Sequence, residues 1–130
     1  MSYYFNTILT GTNFEDAIEQ VTAELKKEGF GIVTEIDVKQ TFKTKIDVDF
    51  RNYKILGACN PHFAHAALCA EPKIGVFLPC NVIVEENENG QIEVSAVDPV
   101  ASMMAVENLD LPGLAEEVRQ KLQNVINNLK

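Results

Sequence analysis

Two runs of the sequence have the period of an amphipathic helix, and each is long enough to need a surface to lie on. The first carries Phe14, Ala17, Ile18, Val21 and Leu25; the second carries Leu114, Val118, Leu122, Val125, Ile126 and Leu129. Apolar residues three and four apart share one side of a helix. A stripe of that kind must be buried against another element. One stripe lies near each end of the chain, and the segments between them are rich in strand formers. The simplest way to bury both is to lay the two helices on one face of a sheet. Thr12 and Glu15 read as a capping box for the first helix, and Gly29 as its C-terminal stop. Pro112 and Gly113 precede the last helix.

The strand readings are residues 2–10, 31–37, 53–59, 74–86 and 91–97. In the second, Ile32, Thr34 and Ile36 fall on one face by alternation. In the fourth, Ile74, Val76, Leu78, Cys80, Val82 and Val84 make an apolar set, which places Cys80 on the core side. Asn89-Gly90 is a hairpin turn signal between the last two strands. Residues 38–46 read as a short helix capped by Asp37 and Gln40, with Val38, Phe42 and Ile46 on its apolar side; a continuous strand is the competing reading. Asn60-Pro61 opens a short apolar helix that Pro72 ends, and Asp98-Pro99 opens another around Met103 and Met104. No linker or repeat divides the chain, so residues 1–130 are expected to form a single domain. The mixed order of elements points to the α+β class, with one five-stranded, mainly antiparallel sheet and two long helices on one face.

Charge and cysteine usage narrow the function. The formal net charge is −8, which argues against a general nucleic-acid binder and against docking on an anionic membrane. Residues 37–54 are a basic exception, with Lys39, Lys43, Lys45, Arg51 and Lys54. No run approaches the ~20 apolar residues of a membrane helix. The first ten residues have no basic stretch and no unbroken apolar run, so no signal peptide is expected and the cytoplasm is the default compartment. Cys59, Cys69 and Cys80 contain no C-x-x-C spacing, which argues for free thiols rather than a zinc ribbon or a redox motif.

Three pieces of sequence then stand together: Leu56-Gly57-Ala58-Cys59-Asn60-Pro61, Leu78-Pro79-Cys80-Asn81-Val82, and Asp98-Pro99. In combination they resemble the prokaryotic family catalogued as domain of unknown function 302, over nearly the whole chain. The resemblance implies a five-stranded α+β domain related to the TATA-binding-protein-like fold, in the order strand, helix, four strands, helix. It also implies pairing as a homodimer. It implies no activity, and no cofactor is indicated. His62, His65 and Cys69 lie outside the family motif.

Several residues are candidates for chemistry, each with a structural alternative. Cys59 and Cys80 could act as a thiol pair; Cys59 precedes a helix start that would favour its thiolate. Cys80 on the core side would instead be a small hydrophobe. Asn60 and Asp98 are explained as helix caps, although the two helix starts could also hold a small anion. Asn81 interrupts an apolar strand and either satisfies loop backbone or lines a site. His62, His65 and Cys69 cluster on one side of the short helix and are of zinc- or copper-ligating type, but one short helix converges poorly on a tetrahedral ion. Met103 and Met104 read as core or interface filler. There is no P-loop, no G-x-G-x-x-G in the right context, no G-x-S-x-G and no HExxH. The leading expectation is a small-ligand site formed by Cys59, Asn60, Asn81 and Asp98. The alternatives are a thiol redox or sulfur-transfer enzyme acting through Cys59, and a dimerisation module without a ligand.

Overall fold

The computed structural model describes residues 2–129. The N-terminal strand β1 (Tyr4–Leu9) leads to α1 (Phe14–Lys27), β2 (Gly31–Asp37), α2 (Val38–Ile46) and β3 (Tyr53–Cys59). Helix α3 (Pro61–Ala70) and a 3-10 turn over Pro72–Phe77 follow, then β4 (Cys80–Glu86), β5 (Ile92–Val97), the single-turn α4 (Pro99–Ser102) and α5 (Leu111–Asn128). The five strands form one sheet in the order β1-β5-β4-β3-β2, and every neighbouring pair is antiparallel. The fold is α+β, as its pattern of elements requires.

Both long helices cover one face. Ala17, Val21 and Leu25 of α1 and Leu122, Val125 and Ile126 of α5 share one core with Leu56, Val82, Val84, Val94 and Ala96 of the sheet. The N-cap of α1 is Asn13, not Thr12. The Asn13 side chain accepts from the Asp16 N–H at 2.8 Å, while the Thr12 hydroxyl donates to the Asn13 carbonyl at 3.4 Å. Asn13 holds the extended backbone that a cap needs, and it is the residue directly before the first helical one. The stretch 38–46 is a helix, whose start is fixed by the Asp37 carboxylate accepting from the Gln40 N–H at 2.9 Å.

Two strand readings change. The fourth strand begins only at Cys80. Pro72 starts a 3-10 turn instead, which leaves Val76 82% and Phe77 42% exposed. Pro79 has no N–H to give to a ladder, so pairing starts after it. From Cys80 onward the alternation holds, with Cys80, Val82 and Val84 buried. In β2 the register shifts between Ile32 and Thr34: Ile32 lies opposite Ala58, Thr34 opposite Gly57 and Ile36 opposite Ile55. The extra residue, Val33, makes a bulge that flips the later residues to the other face. Ile32 therefore packs on the core, while Thr34 and Ile36 lie on the face turned away from α1 and α5.

That second face is open. It carries Tyr4, Ile8, Ile36, Ile55 and Ile83 by register. Tyr53 ends it, and the Phe42, Phe50 and Tyr53 rings meet there edge-to-face and tilted, at 5.1 and 6.1 Å between centroids. Arg51 lies over the Phe50 ring at 4.5 Å. Much of the basic stretch is neutralised within the chain. Lys43 pairs with Asp47, Arg51 with Glu85 and Lys54 with Glu35, at 2.9, 3.1 and 2.8 Å.

Candidate functional site

The ends of β3 and β4 meet the start of α3 beneath α5, and the space left between them is a cavity of about 270 Å³. Its floor is Ala58 and Cys59 from the end of β3, Asn60 just after it, and Leu78, Pro79 and Cys80 from the entry to β4. Its walls are Phe63, Ala64 and Ala67 of α3 and Leu114, Ala115 and Val118 of α5, with Pro99 and Met103 closing one side. The lining is almost wholly apolar; Cys59, Asn60 and Cys80 supply its few polar atoms. A cavity near 150 Å³ with apolar walls holds a benzene-sized guest, so this one has room for about ten to twelve non-hydrogen atoms.

The lining explains two of the motif pieces and half of the third. Gly57 permits the close approach that builds the floor: a Cβ there would come within 2.6 Å of Pro79 Cγ and would also strike Thr34. Asn60 holds the N-cap position of α3 but makes no capping bond. Its buried amide instead donates to the Glu28 carbonyl at 3.4 Å, beside Gly29, whose φ is 86°. The reading of Asn60 as a side-chain cap is therefore corrected: the side chain ties the end of α1 to the start of α3. The Cys80 thiol is pushed up from 9.0 to about 11, first by burial and then by Cys59. At neutral pH it is a protonated, buried thiol.

Asn81 and Asp98 do not line this cavity. Asn81 is exposed beyond Cys80, in a shallow groove of about 430 Å³ over the open sheet face, which it shares with Tyr4, Tyr53 and Ser95. Strand alternation puts neighbours on opposite faces, which separates it from Cys80. Asp98 does cap, accepting from the Val100 N–H at 3.0 Å and the Ala101 N–H at 3.4 Å. Its other oxygen accepts from Arg119 Nε at 3.2 Å. Its carboxylate is occupied by these partners, and an anion shared between the two helix starts has no common cleft.

On α3, His65 Nε2 and Cys69 Sγ lie 3.5 Å apart, one turn from each other. Among the described residues no group of three His, Cys, Asp or Glu side chains is placed to hold a metal ion, so His62, His65 and Cys69 do not converge. Met103 lines the cavity, whereas Met104 is 66% exposed.

The motifs and the fold agree with the comparisons. The model of the family described as domain of unknown function DUF302 matches residues 6–129. The chain belongs to the DUF302 family. No curated protein matches it. A crystal structure of an uncharacterised conserved DUF302 protein from Bacillus stearothermophilus is similar with a TM-score of 0.91, at 25% identity over 100% of both chains. Among the described residues of this DUF302 domain, no helix is long and apolar enough to cross a membrane.

The α5 wall of the cavity, together with Phe63 and Met103, was not assigned to a site from sequence. One signal was there to be read: α3 is rich in alanine (Ala64, Ala66, Ala67 and Ala70), and Ala115 falls among Leu111, Leu114 and Val118 on the apolar side of α5. Small residues on facing helices leave volume between them.

Proposed function

We propose that this DUF302 domain binds a small, mostly apolar molecule in the cavity between α3, α5 and the ends of β3 and β4. The observation that carries this reading is that the Ala58–Asn60 and Leu78–Cys80 pieces build the floor of one apolar space of about 270 Å³. Ligand sites are commonly concave and apolar, with few polar groups fixing orientation; Cys59 and Asn60 would be those groups here. Thiol chemistry through Cys59 with Cys80 as its resolving partner is less well supported, because burial keeps Cys80 protonated and the thiolate is the reactive form.

Titration with 1-octanol, followed by methyl NMR, tests the reading. Shifts confined to Ala67, Leu114, Ala115 and Val118 are expected, and Ala115→Phe, which fills the space, should abolish them. If saturating 1-octanol leaves those methyls unmoved in the wild type, the cavity does not act as a binding site.

A second reading, a homodimer formed through the open sheet face, is favoured by the exposure of Tyr4, Ile8 and Ile36 at 43%, 42% and 48%. The charge on this face at Glu85 is already paired with Arg51, so two copies could meet there without that repulsion. Sedimentation equilibrium should return twice the chain mass, and Ile8→Asp should halve it. A wild-type monomer at micromolar concentration removes this reading.

A further inference from the structure

We propose that the ligand of the cavity is an anionic amphiphile: an apolar chain of about eight carbons buried in the cavity, and a carboxylate held at its mouth by Lys121. The proposal rests on the cavity reading above and names the chemical class that the cavity takes.

The argument starts on α5. Val118 lines the cavity, and Lys121 follows three residues later, on the adjoining part of the same helix side. The Lys121 ammonium lies 6.0 Å from the centroid of the Phe63 ring, and Phe63 is itself a cavity wall. The charge therefore stands at the junction of α3 and α5, 6.0 Å from a ring that lines the apolar space.

Lys121 also differs from the other basic residues. Lys27, Lys43, Arg51, Lys54 and Arg119 each hold a carboxylate. Among the described residues Lys121 forms no ion pair, although Glu117 stands one turn earlier on the same helix. Among the described residues the other lysines without an ion pair, Lys26, Lys39, Lys45 and Lys73, are exposed, whereas Lys121 is half-buried. A cation that has lost part of its hydration gains most from a charged hydrogen-bond acceptor. A neutral guest would offer it no charge to pair with, and a cationic head group would be repelled. The chain's overall charge of −8 does not prevent an anion from binding here, because screening limits that repulsion to about 8 Å at physiological salt.

Size agrees with charge. Room for about ten to twelve non-hydrogen atoms matches the ten of octanoate, with its carboxylate reaching the rim.

Paired titrations of octanoate and 1-octanol by calorimetry test the proposal on wild type, Lys121→Met and Lys121→Arg. Lys121→Met keeps an unbranched stem against Phe63 and removes only the charge. It should weaken octanoate about fivefold and change 1-octanol by less than about twofold, while Lys121→Arg should restore octanoate binding. Octanoate affinity in the wild type should also fall with added salt, and that of 1-octanol should not. Equal losses for both probes, or no loss for either, overturn the role of Lys121 and leave the cavity reading standing. If neither probe binds the wild type, both the cavity reading and this proposal fail.

Discussion

Gly57→Ala is the substitution that most directly tests how the motif is built. Gly57 lies opposite Thr34 on β2 and Asn81 on β4, and the space a side chain would need is already filled. A Cβ at this position would lie 2.6 Å from Pro79 Cγ and would overlap the Thr34 hydroxyl. Thr34 can give way, because it sits beside a bulge on an edge strand. Pro79 cannot yield so easily, because its ring is rigid and forms the cavity floor. Overpacking of this kind costs about 1–3 kcal/mol. The gain from replacing a strand glycine by alanine, about 0.5–1 kcal/mol, offsets part of it. The net expectation is a loss of about 1–2 kcal/mol, which for a domain of this size lowers the melting temperature by roughly 4–9 °C. Urea denaturation should show a lower midpoint with an unchanged slope, since the extent of burial is the same. Combining Gly57→Ala with Thr34→Ala should recover only part of the loss, because the Pro79 overlap remains. Pushing Pro79 inward should also weaken 1-octanol binding. A melting temperature within about 1 °C of wild type, with octanol binding intact, would refute the steric account of this glycine.

Three further predictions concern the other motif residues. Folding holds the Cys80 proton up to about pH 11, whereas an ordinary thiol releases it near 9.0; the stabilisation is therefore complete below pH 9 and fades as the pH rises towards 11, by at most about 2–3 kcal/mol. Urea denaturation of wild type and Cys80→Val from pH 8 to 11 should show this as a falling difference between them, and a constant difference would contradict it. Asp98→Asn should cost less than about 1 kcal/mol, because the Arg119 side chain is 40% exposed. Asp98→Ala should cost about 1–2 kcal/mol, because it also removes the cap of α4, and thermal unfolding should rank the two in that order. Asn60→Ala and Asn60→Ser should both lose about 1 kcal/mol, since the amide bond to Glu28 is lost in each; a serine that restored full stability in a thermal scan would show that the position acts as a cap after all.

The parts of the fold that were legible in the sequence are those set by local period. The stripes of Ala17–Val21–Leu25 and Leu122–Val125–Ile126 give two helices on one sheet face, and Asp37 starts a helix by accepting a backbone bond that a strand would not offer it. The misreadings come from single backbone events. Alternation alone carries Val76 into the core, but the two prolines at 72 and 79 interrupt the ladder and leave it 82% exposed. Alternation also puts Ile32 and Ile36 together, and one extra residue at Val33 separates them. The bulge leaves no mark on composition or period, whereas Pro79 inside the fourth strand reading was itself a signal against an unbroken central strand.

The site divides along the same line. Cys59, Asn60 and Cys80 were legible because two motif pieces carry them, and the strand register brings those pieces together by setting Ala58 opposite Cys80. The cavity was not, because it is volume left between elements whose separation depends on tertiary packing. This explains how the motif can look catalytic while its polar groups are mostly engaged: Asn60 ties α1 to α3, Asp98 holds α4 and Arg119, and Cys80 stays protonated in the core. With those groups committed to structure, the apolar walls and the half-buried Lys121 beside Phe63 are what the cavity has left to offer the ligand proposed above.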